Sequence, residues 1–425
     1  MKELFLLDDV KSRINMLVEE VEKNFTTISE NLGGWHHYLR TQKVSPLGTA
    51  LGLAILSYKV KKMDHRFLLG INLLEENINQ DNGFGIKMIE NGRISLTEST
   101  SFICLSLATI LNNKVELTSE YKNKIIDIMK KCVKWLIDNE NPFEGWGPRK
   151  GYKSRIFSTS IAIISLKRAL ESGIFNNASE PKLEAVLQTI NSATDWLIRA
   201  QNEDGGWGEF AKNQESTAFH TSIAIIALKL TSMCTQKSCE NAKKWLLTEW
   251  DEKYMWEKLE NPVNIAETYD ISLGNHEWSR AIWNHFPTAW ALIALSILGE
   301  SFATFEMFKS IKWMLKQTQK GYITRPTDPS PPIWAIWDTL SFFDIFVKFS
   351  GNKILGVPKR KQILLKCFRY SIFKGPYGYT ILLLLYILVG FFFVLDNLLS
   401  TKDYFLGLLV PISLLLIDRL IKWKK

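Results

Sequence analysis

The chain has 425 residues, 46% of them hydrophobic, enough for a large core or two domains. Its formal net charge is +8, yet 12 Lys/Arg against 3 Asp/Glu lie beyond position 350, so the tail carries about +9 and the rest is near −1. The basic character therefore belongs to the tail, which argues against nucleic acid as a partner of the head.

Residues 1–25 carry acids throughout and no long apolar run, so they do not read as a secretory signal; positions 7–25 are predicted as a first helix. Residues 47–58 are apolar with small side chains, as a buried helix would be. From there a unit recurs. Gly33-Gly34-Trp35 precedes Thr49-Ala50. Asp81-Asn82-Gly83-Phe84-Gly85 precedes Glu98-Ser99-Thr100-Ser101. Trp146, in Glu-Gly-Trp-Gly, precedes Phe157-Ser158-Thr159-Ser160. Gln201, Gly205 and Trp207 precede Thr221-Ser222, and later copies carry Thr288-Ala289 and Trp337-Asp338-Thr339. The pairs Trp135/Trp146, Trp196/Trp207 and Trp245/Trp256 share one separation. Self-similarity of this kind marks a repeat architecture.

In each unit one helix is charged on one side (182–200, 238–248) and the next is apolar all round (221–230, 288–298). The apolar helix should be buried and the charged one outside. Two such layers describe an all-α fold, an (α/α)6 toroid closed on itself, over residues 1–350. Two segments break the period. Residues 249–283, with Glu267, Asp270, His276 and Glu277, and the proline-rich 324–332 are expected as loops at the rim of a central cavity.

Residues 351–374 read as a basic connector and 375–425 as a two-helix membrane anchor. Positions 375–395 are uncharged and apolar for about 21 residues, enough to cross a bilayer; 404–417 offer only about 14, with a re-entrant segment as the alternative. Lys and Arg flank both outer ends, which places the head and both termini on the cytoplasmic side. The cysteines at 104, 132, 234, 239 and 367 are odd in number and lack metal-ligand spacing, so they read as reduced buried thiols.

The motif Gln, three residues, Gly, one residue, Trp is met in full by Gln201, Gly205 and Trp207. It resembles the repeat signature of the terpenoid cyclase and protein prenyltransferase superfamily, including the squalene–hopene cyclases, and the resemblance runs over roughly residues 31–346. Other copies keep the glycine–aromatic part but not the Gln: Glu140 and Ile78 stand in its place. The resemblance implies an α/α toroid. It also implies, for class II cyclases, protonation of an alkene or epoxide by a carboxylic acid kept neutral in an apolar pocket walled by aromatic faces.

In that family the acid lies in Asp-x-Asp-Asp-Thr-Ala at the start of an inner helix. No copy here keeps the triplet. Counting back from Thr100, Glu98 falls on the middle acid and is the expected donor, although a Glu at a helix start is equally an ordinary cap. His220 before Thr221 and Asp338 before Thr339 complete the catalytic candidates. Trp278, Trp283, Trp290, Trp334 and Trp337 cluster late in the chain and are expected to wall a cavity for a polyisoprenoid, with core packing as the alternative. Asp204 is read as an Asx-type turn residue and Glu209 as solvated or capping. No Asp-x-Cys with a following His and no Asp-Asp-x-x-Asp cluster is found, so no metal and no cofactor is expected. Three functions follow: a membrane-anchored terpene cyclase-like enzyme acting on a lipid-soluble isoprenoid, a non-catalytic membrane-tethered toroid that binds or scaffolds, and a prenyltransferase.

Overall fold

The structure, a computed structural model of the chain, describes residues 2–356 apart from 42, 87–93, 176–179, 213–214, 234–235, 275–276 and 326–327. Lys2–Ser350 forms one compact unit. The expected membrane hairpin lies outside the described residues, as does most of the basic connector. Among the described residues no helix is long and apolar enough to cross a membrane.

The helices alternate between two layers. The chain opens with α1 (Lys2–Lys23), a two-residue ribbon of β1 (Thr26–Thr27) and β2 (Gly33–Gly34), and α2 (Pro46–Leu56). It continues through α3 (His65–Glu76), α4 (Thr97–Asn112), α5 (Ser119–Asp138), α6 (Ile156–Glu171), α7 (Leu183–Arg199), α8 (Ala218–Leu230) and α9 (Gln236–Thr248). After a short turn α10 (Pro262–Ile265) come strands β3 (Ala266–Gly274) and β4 (Glu277–Asn284), then α11 (Pro287–Ile297), α12 (Phe305–Gln317) and α13 (Ile333–Gly356).

Helices α2, α4, α6, α8 and α11 pack side by side in that order. Every residue of α2 is buried, and so is nearly every residue of α8. Their partners α5, α7 and α12 bury only one face, as their charge pattern requires. The ring closes where its ends meet. Outer helix α12 packs on α1, and Arg13 donates to the carbonyl of Thr318 at 2.9 Å. Inside, Trp337 of α13 meets Tyr58, just past α2, edge to face, and Ile333 N–H donates to His37 O. The two-layered ring expected from the repeats is thus what forms.

The joint between layers explains the repeat. Trp207 donates its backbone N–H to the Thr221 hydroxyl at 2.9 Å and its indole N–H to Leu197 O at 2.9 Å. The indole thereby satisfies a carbonyl left over at the end of α7 while the backbone anchors the start of α8. Trp146 makes the same pair with Thr159 and Leu136, and Trp35 with Thr49 and Val21. Phe84 keeps the backbone half, to Thr100 at 2.9 Å, and has no indole to complete it. Gly205 sits at φ +93°, and a Cβ on Gly206 would fall 2.6 Å from the Ser216 side chain, so this turn demands both glycines. Asp204 forms the expected turn, accepting from Gly206 N–H and the Ser216 hydroxyl, and also takes the indole N–H of Trp245 in the next outer helix.

Gln201 uses both ends of its amide. It donates to Gly205 O at 2.8 Å and to Ser238 O at 3.1 Å, and accepts from the Ser238 hydroxyl at 2.7 Å, tying the turn to α9. Glu140 occupies this place one unit earlier. It has no N–H to donate, and its Oε1 is buried without a partner. Burial pushes its pKa up to about 7 against the opposing hydrogen bond of Ser192. Because the folded value lies above the unfolded one, the cost is absent below about pH 4.5, grows as pH rises, and is complete above about 7. Glu140→Gln is therefore expected to stabilise the protein by roughly 1–2 kcal/mol at about pH 8, after allowance for partial exposure, and to be neutral at about pH 4. Urea unfolding of both proteins at the two pH values measures this.

The segment expected as a loop at 249–283 is instead largely an antiparallel hairpin of β3 and β4, with Glu267 opposite Trp283 and Tyr269 opposite Ala281. Glu267, Tyr269 and Ile271 are buried while Thr268 and Asp270 are exposed. That is the alternation of a half-buried strand, hidden in the sequence because its first inward residue is an acid. The proline-rich 324–332 is irregular as expected. Its Arg325 pins the hairpin base, donating to Ile265 O and His285 O and pairing with Glu257 at 2.6 Å. The cysteine reading holds for Cys104 and Cys132, both free and buried; Cys239, however, is disulfide-bonded.

Candidate active site

The inner helices surround a narrow pocket of about 20 Å³, room for about one water, and the hairpin stands over it. Its walls are aromatic: Phe102 from α4, Phe157 from α6, Phe219 from α8, Trp290 from α11, Trp334 from α13 and Trp283 from β4. Each inner helix reaches the cavity near its start, because the Thr joint fixes that end and the apolar run that follows packs into the ring. Trp283 stacks on Phe102 at 6.1 Å and meets Phe157 edge to face. Three of the five expected tryptophans thus line the cavity. Trp278 does not: it is 64% exposed, because its place in β4 is out of phase with the inward residues Ala281 and Trp283. Trp337 does not either; it packs on Tyr58, one helical position away from the cavity residue Asp338.

Asp338 is the carboxyl on the cavity wall. Burial holds its pKa well above the usual carboxylate range, Trp290 opposes this with a hydrogen bond, and the charge of Glu257 reinforces it.

Glu98 lies one turn before Phe102 in α4 and is fully buried. Its carboxylate accepts its own backbone N–H in the first turn of α4, as an acid at a helix start does, while the cap position itself is Leu96 and has no side-chain hydrogen bond. Its Oε1 accepts from the Ser158 hydroxyl, and its Oε2 accepts from the Tyr269 hydroxyl at 2.8 Å. Tyr269 in turn accepts the indole N–H of Trp283 at 2.8 Å. Burial raises the pKa of Glu98; the Ser158 hydroxyl, its own backbone N–H and the Tyr269 hydroxyl pull it back, and Glu267 raises it further. Glu98 is thus set behind Tyr269 and Trp283, next to the cavity lining.

His220 does not meet either of these acids. Its Nδ1 lies 2.7 Å from the Thr217 hydroxyl and its Nε2 2.6 Å from Glu267 Oε1. Glu267 Oε2 takes a 2.8 Å hydrogen bond from Arg155, which also pairs with Glu209. Glu209 is accordingly not the solvated residue expected, since Arg155 holds it against the start of α6. Burial opposes ionisation of Glu267, but the charge and hydrogen bond of His220 outweigh it, and the carboxylate stays ionised. His285 lies flat on Phe219 at 3.5 Å, and burial lowers its pKa to about 4. His220, Glu267 and His285 bring one ligand atom each within 4.8 Å of one another, which the sequence reading, looking for a thiol partner, did not anticipate. Ser158, Arg155 and Tyr269 were also missed. Only the strand alternation around Tyr269 offered a sequence signal for any of them.

Residues 122–264 match the family model of the squalene–hopene cyclase C-terminal domain. The chain is 27% identical over 140 residues to the squalene–hopene cyclase of Zymomonas mobilis, covering 31% of this chain and 19% of that one. It is 32% identical over 79 residues to that of Bradyrhizobium diazoefficiens, covering 16% and 12%. The matched stretch thus spans less than a fifth of the length of either relative. In fold, the chain is similar to a variant of the type II terpene cyclase MstE from Scytonema in complex with geranylgeranyl dihydroxybenzoate. The TM-score is 0.50 at 14% identity, over 80% of this chain and 97% of that one. The resemblance of this chain to the terpenoid cyclase superfamily is thereby established in repeat sequence and in fold.

Proposed function

We propose that the protein is a class II-like terpene cyclase that starts cyclisation of a lipid-soluble isoprenoid by protonating it in the aromatic cavity. The observation that carries this reading is a small, aromatic-walled pocket with the buried carboxyls of Asp338 on its wall and Glu98 behind it, both with raised pKa. Such a pocket keeps an acid protonated and places ring faces where carbocation charge develops. Glu98 is the proposed donor, held by Ser158 and Tyr269 behind the pocket residue Trp283. A second reading makes Asp338 the donor, and the observation favouring it is that its carboxyl belongs to the wall itself. The test is turnover of C15 to C20 prenyl compounds by the purified full chain, followed by mass spectrometry for an isomeric product, with Glu98→Gln and Asp338→Asn compared separately. Product formation that survives both changes unaltered removes acid initiation by these residues. No product from any prenyl compound favours the non-catalytic toroid.

The membrane tether is part of the same proposal and rests on the apolar runs at 375–395 and 404–417. A substrate that hardly dissolves in water is best drawn from the bilayer. The full chain is expected in the alkaline-carbonate-resistant membrane fraction, and a chain ending at residue 356 is expected to leave it. Equal release of both by carbonate would remove the anchor.

A further inference from the structure

We propose that His220, Glu267 and His285 form a zinc site whose remaining position opens to the cavity. Each ligand comes from a different part of the fold: His220 from the first turn of α8, Glu267 from β3, and His285 just past β4. All three side chains are at most 3% exposed. Two imidazoles and one carboxylate suit a divalent first-row metal, and three protein ligands leave one tetrahedral position open.

The three ligand atoms lie within 4.8 Å of one another. With zinc–ligand bonds of about 2.0–2.2 Å, ligand atoms of a tetrahedron stand about 3.3 Å apart. His285 Nε2 is 3.4 Å from Glu267 Oε1, close to that edge. His220 Nε2 is 2.6 Å from the same oxygen and must open by roughly 0.7 Å for both to face one ion. A second observation points to a ligand: His285 Nε2 is buried and lies 3.4 Å from Glu267 Oε1, yet without the alignment of a good hydrogen bond. A metal ion between this nitrogen and the Glu267 oxygen would satisfy both.

The outer contacts are those a metal site needs. The Thr217 hydroxyl, 2.7 Å from Nδ1 of His220, can accept a hydrogen bond from Nδ1–H, a tautomer that leaves Nε2 free for the metal. Arg155 holds Oε2 of Glu267 and leaves Oε1 to the ion. Because His285 also lines the cavity, the open position faces it and would take an oxygen of a water or of a substrate head group.

The experiment is metal content, and it does not depend on whether the protein cyclises anything. The full chain, made without a polyhistidine tag, is loaded with zinc, desalted and measured by plasma mass spectrometry. Cobalt loading is followed by its visible absorption. About one zinc per chain and a tetrahedral cobalt spectrum are expected. His285→Gln should weaken zinc by at least about tenfold, and its circular dichroism and thermal unfolding, measured alongside, should stay those of the wild type. Less than about a tenth of an equivalent in the folded wild-type chain overturns the proposal, and so does full retention of zinc by both His285→Gln and His220→Gln.

Discussion

Glu98→Gln is expected to cut prenyl-substrate turnover by about 10²–10⁴-fold, the usual worth of a positioned general acid. The substitution keeps the shape of the side chain, and its amide oxygen still accepts from Ser158 or Tyr269. What it removes is the transferable proton. The loss should fall on kcat more than on KM, because the carboxyl is set behind Tyr269 and Trp283 and gives the ground state little binding. Asp338→Asn should act less strongly under this reading, since Asp338 would only shape the wall. If the order is reversed, the wall carboxyl is the donor and Glu98 serves to hold the hairpin through Tyr269. Unchanged turnover in Glu98→Gln on every prenyl compound that the wild type converts would sink its assignment.

Arg155→Met is expected to destabilise the folded chain by about 3–5 kcal/mol, the largest loss for any single change at the site. Arg155 is the cation between two carboxylates: Glu267, wholly buried, and Glu209, mostly so. It also lies 4.8 Å from the ring centres of Phe210 and Tyr269, so its methylenes and plane are part of the packing. Removing it leaves two like charges facing each other with His220 as the remaining partner of one. Methionine preserves most of the volume and isolates the electrostatic loss. Adding Glu267→Gln to Arg155→Met should restore part of the stability, because the strongest unpaired charge is then gone. Urea or thermal unfolding of the three variants against wild type measures this. A loss below about 1 kcal/mol for Arg155→Met would mean that water reaches the cluster.

The two predictions concern one hairpin. Glu267 and Tyr269 both stand on β3, two residues apart and on the same face. One carries the charged cluster with Arg155 and His220; the other closes over Glu98 with Trp283. Charge and acid are therefore separated by the two-residue period of a strand, which keeps the ionised Glu267 from bonding Glu98 directly while its field still raises the Glu98 pKa. This arrangement has no counterpart in the helical repeats.

What the repeats wrote into the sequence was the ring. Spacing alone paired each glycine–aromatic turn with a Thr at the start of the next apolar helix, because those groups are local partners: an indole reaching about ten residues back and a hydroxyl about fourteen residues on. Local hydrogen bonds leave a periodic trace, and so does the burial of a helix on all sides. The late tryptophans were legible as a group for the same reason, but not individually. Trp278 and Trp283 differ only in strand phase, and Trp337 and Asp338 only in the turn of one helical position. Glu98 was found by its distance from Thr100, and its two hydroxyl partners were not. Ser158 belongs to the neighbouring unit and Tyr269 to an inserted hairpin 171 residues away. The cluster of His220, Glu267, His285 and Arg155 was decided by tertiary structure alone. Its members come from four places in the fold and lie up to 130 residues apart, and only ring closure under the hairpin brings them together. Short-range contacts are fixed by spacing and can be read from it, whereas long-range contacts exist only once the chain has folded.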